Sequence, residues 1–203
     1  MPTTFFTVYY AFHELAHLQP GERVLIHGAA GGVGIAAIQL AQHIGAEVFA
    51  TAGSPDKRDF VRQLGVEQVF DSRSLDFADE ILDCTNGEGV DVVLNSLAGE
   101  AIVRNLKVLR PFGRFLELGK RDFYENTRIG LRPFRNNISY FGIDADQLMA
   151  ERPALTGQLF RALFEMFHAG VLSPLPFTRF AAADAVDAFR FMQQSKQVGK
   201  IVL

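Results

Sequence analysis

The sequence predicts an α/β fold, an open, doubly wound parallel sheet of about six strands with helices on both faces. Three observations predict it. Short and almost wholly apolar runs recur along the chain, among them Val24-Leu25-Ile26 and Val92-Val93-Leu94, and strands of that kind are buried on both faces. Segments with helical spacing of apolar residues lie between these runs, as parallel strands require of their crossovers. Gly28-Ala29-Ala30-Gly31-Gly32-Val33-Gly34 stands between the first strand and an alanine-rich helix, a cluster that lets something approach the backbone closely.

Taken in order, residues 5–18 carry Val8, Ala11, Phe12, Leu15 and Ala16 at helical spacing, and Pro20-Gly21 ends the run. The first strand covers 23–27. The alanine-rich helix covers 32–43, with Gly45 where a helix stop is expected. A second strand follows over 47–51. The next helix, 55–64, has Pro55 in its first turn and Gly65 beyond its end. Strand 68–70, helix 76–85, strand 90–94 and helix 100–109 continue the alternation. Pro111-Phe112-Gly113 turns into strand 114–118, and a sixth strand covers 138–143. Helices over 154–168 and 184–194 and a last strand over 200–203 close the chain.

Composition narrows the function. A formal charge of −3 and the lack of any basic run give no electrostatic reason to expect nucleic acid or an anionic membrane. Cys84 is the single cysteine, so no disulfide framework or all-cysteine metal site can form. The start, Met1-Pro2-Thr3-Thr4-Phe5-Phe6, lacks the charged head and long apolar core of a signal peptide. No apolar run approaches the length that spans a bilayer. The expected setting is cytoplasmic and reducing.

Gly28-x-x-Gly31-x-x-Gly34 follows a strand and opens a helix, the context of a dinucleotide-binding turn, though its spacing departs from Gly-x-Gly-x-x-Gly. A pyrophosphate there must reach backbone N–H groups at a helix N-terminus, and a Cβ in the turn would hold it off. NAD-binding sheets place an acid at the end of the second strand, about 20 residues on. Thr51-Ala52-Gly53-Ser54-Pro55-Asp56-Lys57-Arg58 offers a small hydroxyl residue and cations instead, which suits a 2′-phosphate and hence NADPH. Asp56 at the helix start serves the helix dipole. The alternative is that Lys57 and Arg58 are solvated helix residues.

These segments, together with Phe70-Asp71-Ser72-Arg73-Ser74, Asn95-Ser96-Leu97-Ala98-Gly99-Glu100, Gly119-Lys120-Arg121-Asp122 and Gly199-Lys200-Ile201-Val202-Leu203, closely resemble the enoylreductase domain of modular polyketide synthases, in the zinc-free medium-chain dehydrogenase/reductase superfamily. The resemblance runs essentially the whole chain. It implies a Rossmann-type sheet in strand order 3-2-1-4-5-6 over residues 1–150, entered by a crossing helix, with residues 151–203 completing the domain. It further implies a substrate-binding GroES-like β domain to which the last strand and residues 177–180 belong and to which nothing in these residues corresponds, so the chain is expected to be a fragment. The last strand would then be orphaned, leaving an exposed edge prone to self-association, and a homodimer stays open.

By position, the resemblance implies that Gly28, Gly31, Gly32, Val33 and Gly34 hold the pyrophosphate. Ser54, Lys57 and Arg73 would contact the 2′-phosphate or flank the adenine, and Thr7, Asn95, Gly119 and Lys120 would line the nicotinamide end. The implied activity is NADPH-dependent reduction of an enoyl thioester on an acyl carrier protein, with the other domains of a synthase as partners. A free-standing quinone or alkenal reductase and an inactive nucleotide-binding module are the alternatives. Lys120 and Asp144 follow the ends of neighbouring strands and so project to one rim. They are the candidate catalytic pair, Lys120 as acid or enolate stabiliser and Asp144 orienting it; a structural ion pair is the plain alternative.

His13-Glu14-Leu15-Ala16-His17 matches a zinc-protease signature, but the chain turns into a buried strand with no third ligand in view, and no metal is expected. Gly113 to Lys120 has one residue too many for a triphosphate-binding loop, and Ser96 lacks the glycine frame of a hydrolase elbow. His27 is read as a satisfied structural histidine at a strand end.

Overall fold

Strand β1 (Arg23–Ile26) sits at the centre of the sheet with Val24, Leu25 and Ile26 fully buried. In the computed structural model, which describes residues 2–203, β2 (Glu47–Ala52) pairs with it on one side and β4 (Val90–Asn95) on the other, both parallel. Outside these lie β3 (Gln68–Asp71) next to β2, and β5 (Leu109–Glu117) and β6 (Ser139–Gly142) beyond β4. The order is β3-β2-β1-β4-β5-β6, as the sequence predicts. Met1, the first residue of the expected 1–150 segment, lies outside the described residues.

The unbroken apolar runs are explained by two cores. Side chains alternate along a strand, so Val24 and Ile26 face one layer and Leu25 the other. The first layer holds α1 (Pro2–Tyr9), α2 (Gly32–Ile44), Val61 of α3 (Pro55–Gln63) and the long α8 (Pro153–His168). The second holds α4 (Phe77–Cys84) and α5 (Glu100–Val108), whose Phe77, Ile81, Ile102 and Leu106 pack against Phe49, Val93 and Phe115. Helix α2 stops at Gly45, whose φ of +86° is open to glycine without strain and whose N–H caps Ala41 O.

The structure differs from expectation at four places. The entry helix is α-helical only to Tyr9; Tyr10–Leu15 is π-helical, with Ala16 N–H bonding Ala11 O at 2.9 Å, a difference that apolar spacing does not reveal. Strand β5 starts at Leu109, directly after α5, and the expected turn at Pro111-Phe112-Gly113 is a bulge within it. Val90 pairs with Leu109 and Val92 already with Arg114, while Phe112 takes a φ of +65°. Two short helices, α6 (Arg121–Tyr124) and α7 (Ala145–Glu151), carry no apolar periodicity of their own and were not predicted. Finally, the last strand is not orphaned. As β8 (Lys200–Val202) it pairs parallel with β7 (Phe177–Arg179), before helix α9 (Ala185–Gln193), in a separate two-stranded sheet, so one of its two edges finds a partner within this chain.

No helix among the described residues is long and apolar enough to cross a membrane. Phe6 is fully buried and stacks on Phe160 with ring centroids 4.7 Å apart, tying α1 to α8. Replacing Phe6 with Ala should cost about 3–5 kcal/mol of stability, read from the urea midpoint at unchanged slope; a loss below about 1 kcal/mol would show that α1 is not part of the core.

Candidate active site

The chain leaves β1 through Gly28, at φ +62°, and reaches α2 with Gly31 extended at its N-cap and no side chain capping the helix. A Cβ on Gly34 would overlap Ala29 Cα and Gly28 O, so the first turn of α2 lies directly on the loop backbone. The first helical bond runs from Ile35 N–H to Gly31 O at 2.9 Å, which leaves the amides of Gly32, Val33 and Gly34 without intrahelical acceptors. Helix dipole and free N–H groups together favour an anion there. The stem of Lys200 passes over this turn, its Cδ 2.5 Å from where a Cβ on Gly32 would stand, and Gly199 N–H donates to Ala30 O at 2.8 Å.

At the end of β2, Ser54 caps α3 by accepting from Lys57 N–H at 3.4 Å. Lys57 Nζ donates to Ser195 O at 2.6 Å. Burial, followed by the charge of Arg73, lowers the Lys57 pKa, so the two cations feel each other's charge, and the Arg73 Nε lies 3.2 Å from a Cβ built on Gly53. Arg58 is occupied differently, paired with Asp71 at 3.0 Å and donating to Ala52 O. Ser54, Lys57 and Arg73 thus come together, and Arg58 is structural.

Beneath the crevice runs a buried polar chain that crosses four strands. Its direction is set by backbone: Leu97 N–H donates to Asn95 Oδ1 at 3.1 Å, and Leu97 O accepts from Asn95 Nδ2 at 2.7 Å. The second Nδ2 hydrogen then points to Glu117 Oε2 at 2.6 Å, and Asn95 Oδ1 takes Asn105 Nδ2 at 3.0 Å. Asn105 is left presenting Oδ1 to His27 Nε2 at 2.6 Å, so His27 carries its proton on Nε2 and accepts the Thr51 hydroxyl at Nδ1, 2.8 Å away. Burial depresses the His27 pKa to about 4, in keeping with a neutral ring. His27 is the satisfied structural histidine the sequence predicts.

Asn95 requires a correction. It was expected to line the nicotinamide end, but its side chain is fully buried and every hydrogen-bonding site on it is used within this chain. The residue of that segment which faces the crevice is Ser96, exposed, with its Oγ 3.3 Å from a Cβ built on Gly28. Gly119 lies beside the Ser96 backbone in turn, so the glycine loop, Ser96 and Gly119 are contiguous. Thr7 is half-buried on α1, its hydroxyl bonded to Thr3 O at 2.9 Å rather than to the other candidates.

On the rim, Lys120 Nζ donates to Asp144 Oδ2 at 2.8 Å and to Ile143 O at 3.0 Å. Asp144 also caps α7, accepting from the amides of Asp146 and Gln147. The Lys120 ammonium and these amides hold the Asp144 carboxyl below the usual range. With side chains 41% and 47% exposed, the pair is reachable from a small cavity of about 260 Å³ that Phe123, Tyr124 and Gly142 also line. In the His-Glu-x-x-His segment, His13 Nδ1 meets Glu14 at 3.0 Å and its ring stacks on Tyr9. Among the described residues no group of three His, Cys, Asp or Glu side chains is placed to hold a metal ion.

A glycine cradle at the centre of a doubly wound sheet, with cations at the end of its second strand, defines a nucleotide-binding α/β domain. The chain belongs to the zinc-binding dehydrogenase family, whose profile matches residues 32–163. It is 50% identical over 199 residues to a phenolphthiocerol/phthiocerol polyketide synthase polypeptide of Mycobacterium tuberculosis, covering 98% of this chain and 9% of that protein. The nucleotide-binding subdomain of the enoylreductase domain of PpsC from Mycobacterium tuberculosis superposes with a TM-score of 0.81 at 48% identity, over 85% of this chain and 96% of that one. The CurF ER cyclopropanase of the curacin A pathway does so with a TM-score of 0.90 at 43% identity, over 98% of this chain and 58% of that one. The chain thus closely resembles the nucleotide-binding part of polyketide synthase enoylreductases, and it spans under a tenth of the curated synthase.

The two titratable members of the buried chain act on stability with opposite signs. His27, at about 4 folded against an ordinary 6.5, contributes stability that is full above pH 6.5 and lost as pH falls toward 4. Glu117, raised to about 7 from 4.5 chiefly by burial, makes the folded state lose stability as pH rises from 4.5 through 7. Urea midpoints between pH 4.5 and 8 should therefore fall less on acidification in His27→Gln than in wild type, and fall less on alkalinisation in Glu117→Gln. Parallel profiles for all three proteins would show that neither group titrates as placed.

Proposed function

We propose that this chain is the NADPH-binding part of an enoyl reductase that acts on α,β-unsaturated thioesters carried on an acyl carrier protein within a multidomain polyketide synthase. The observation that carries the proposal is the continuity from the glycine cradle through Ser96 and Gly119 to the Lys120–Asp144 pair: successive close contacts lead from a helix terminus whose first amides lack intrahelical acceptors to an ammonium on the rim. The likeness to enoylreductase domains supports it. Residues 1–150 would form the cofactor sheet, and residues 151–203 would complete it and lead back toward a substrate domain. The setting would be the cytoplasm, without membrane or nucleic acid as partner.

The residues present fit the dinucleotide. The amides of Gly32, Val33 and Gly34, in a turn opened by Gly28 and Gly31 that tolerates no Cβ at Gly34, would hold the pyrophosphate. Ser54, Lys57 and Arg73 would take the 2′-phosphate, Lys57 exchanging the Ser195 carbonyl for it, while the nearby acid Asp71 is held by Arg58 and by the Arg73 N–H. Thr7, Gly119, Lys120 and the backbone beside Asn95 would line the nicotinamide end. When bound, NADPH supplies the hydride for Cβ of the substrate.

The rest is the work of the chain. As negative charge develops on the thioester oxygen, the Lys120 ammonium stabilises it. Lys120 then gives a proton to Cα and regains one from solvent, to which it is open. Asp144 and Ile143 O fix the direction of the ammonium, and Asp144, held low in pKa, keeps its negative charge throughout.

Calorimetry on this chain should find NADPH bound more tightly than NADH. Lys57→Ala or Arg73→Ala should weaken NADPH by about 10- to 100-fold, the range of a lost hydrogen bond to a charged group, and leave NADH nearly unchanged. Equal affinity for the two coenzymes would overturn the assignment of the phosphate site. In the complete enzyme, Lys120→Ala should lower the turnover of enoyl thioester reduction by about 10²-fold, with coenzyme affinity retained. Wild-type turnover in that variant would remove Lys120 from the chemistry, and faster reduction of quinones than of enoyl thioesters would favour a quinone reductase.

A further inference from the structure

Glu117 is the last residue of β5, only 1% exposed, and the chemistry above makes no use of it. Its Oε2 accepts from Asn95 Nδ2 and its Oε1 from Gly119 N–H, both at 2.6 Å. Both neighbours are obligate donors here. Gly119 offers a backbone N–H, and Asn95 cannot turn over, because the Leu97 backbone pins its amide at both ends. The position therefore needs two acceptors pointing in different directions. A carboxylate supplies both, whereas an amide would set N–H against N–H at one of them. Gly119 in turn must lack a side chain, since a Cβ would stand 2.8 Å from Glu117 Oε1. The segment that leads to Lys120 is folded onto this carboxylate.

We propose that Glu117 is a positioning residue: as a carboxylate it terminates the polar chain from Thr51 and holds the Gly119–Lys120 turn in place from beneath, and its protonation releases that turn. The functional half of the proposal rests on the assignment of Gly119 and Lys120 to the nicotinamide end.

The groups that face Glu117 support it. Asn95 of β4 and the Gly119 amide favour the anion, while burial and the acid of Asp122, on α6, oppose it and carry its pKa to about 7. From β6, the Tyr140 phenol is pushed up to about 12 by burial and by Glu117 and Asp122, so it stays neutral. The Lys120 ammonium is turned away to Asp144 and Ile143 O. Protonation near neutrality puts a hydroxyl where one of two N–H donors needs an acceptor, and that bond is lost.

Carboxyl and amide resonances of this chain, isotopically labelled and free of coenzyme, test the first half. The Glu117 carboxyl and the Gly119 amide should titrate together with one midpoint between pH 6 and 8, and the Gly119 hydrogen-exchange protection factor should fall several-fold below it. In Glu117→Gln the Gly119 amide should no longer titrate and should be weakly protected at every pH. NADPH affinity should fall several-fold through the same midpoint in wild type and be weaker and flat with pH in the variant.

A Glu117 carboxyl that titrates near 4.5, a Gly119 amide that does not follow it, or an unchanged Gly119 protection factor in Glu117→Gln overturns the proposal; the first two are read on wild type alone, should the variant not fold. So does an NADPH affinity with the same pH profile in both proteins. Absence of any dinucleotide binding defeats the reductase assignment, and the Gly119 titration then decides for or against Glu117 by itself.

Discussion

At Gly34 the first turn of α2 rests on Ala29 and on the carbonyl of Gly28, with no room for a Cβ between helix and loop. That contact fixes where the helix begins relative to the central strand, and the site follows from it. With the helix this close, its free amides open at the middle of the sheet edge, where the strand order reverses between β1 and β4. Gly28, turned to positive φ to make the approach, brings the loop against Ser96. A side chain at position 34 would lift α2 off the loop and separate the anion-binding end from the rest of the crevice.

Under that edge the fold must satisfy polar groups that it has taken out of water, and it does so with one polarised chain. Thr51, His27, Asn105, Asn95 and Glu117 are linked by hydrogen bonds from one to the next, and the Leu97 backbone decides the direction for all of them. Buried polar groups of this sort stabilise only when every member is paired. The described residues contain one buried side-chain polar atom without a partner, Gln197 Oε1, and it lies outside this chain of bonds. The cations differ: the charge of Arg73 opposes that of Lys57, while Arg58 is paired with Asp71.

The alternation of apolar runs and helical spacing was enough to read a doubly wound parallel sheet, because strands buried on both faces are nearly all apolar, while the strand order came with the family resemblance. The glycine loop was legible because close approach of helix and backbone demands glycine at fixed places. Asn95 was assigned to the nicotinamide end by resemblance alone, and only the Leu97 backbone and the positions of Asn105 and Glu117, 10 and 22 residues on, show that its side chain faces inward. Glu117 escaped notice although a signal was present, an acid inside the apolar strand Phe115-Leu116-Glu117-Leu118. The last strand was expected to group with residues 177–180, and it does, but its direct pairing with 177–179 within this chain is a matter of long-range contact.

By itself the sequence determined the class of fold and the glycine turn that opens the helix after the first strand, because periodicity and glycine act locally along the chain. Tertiary structure alone decided which polar groups turn inward, the tautomer of His27 and the attachment of Gly119 to Glu117. Those outcomes depend on donors and acceptors that different strands bring together, and a hydrogen bond's direction is set by the partner it meets rather than by the residue's neighbours in the chain.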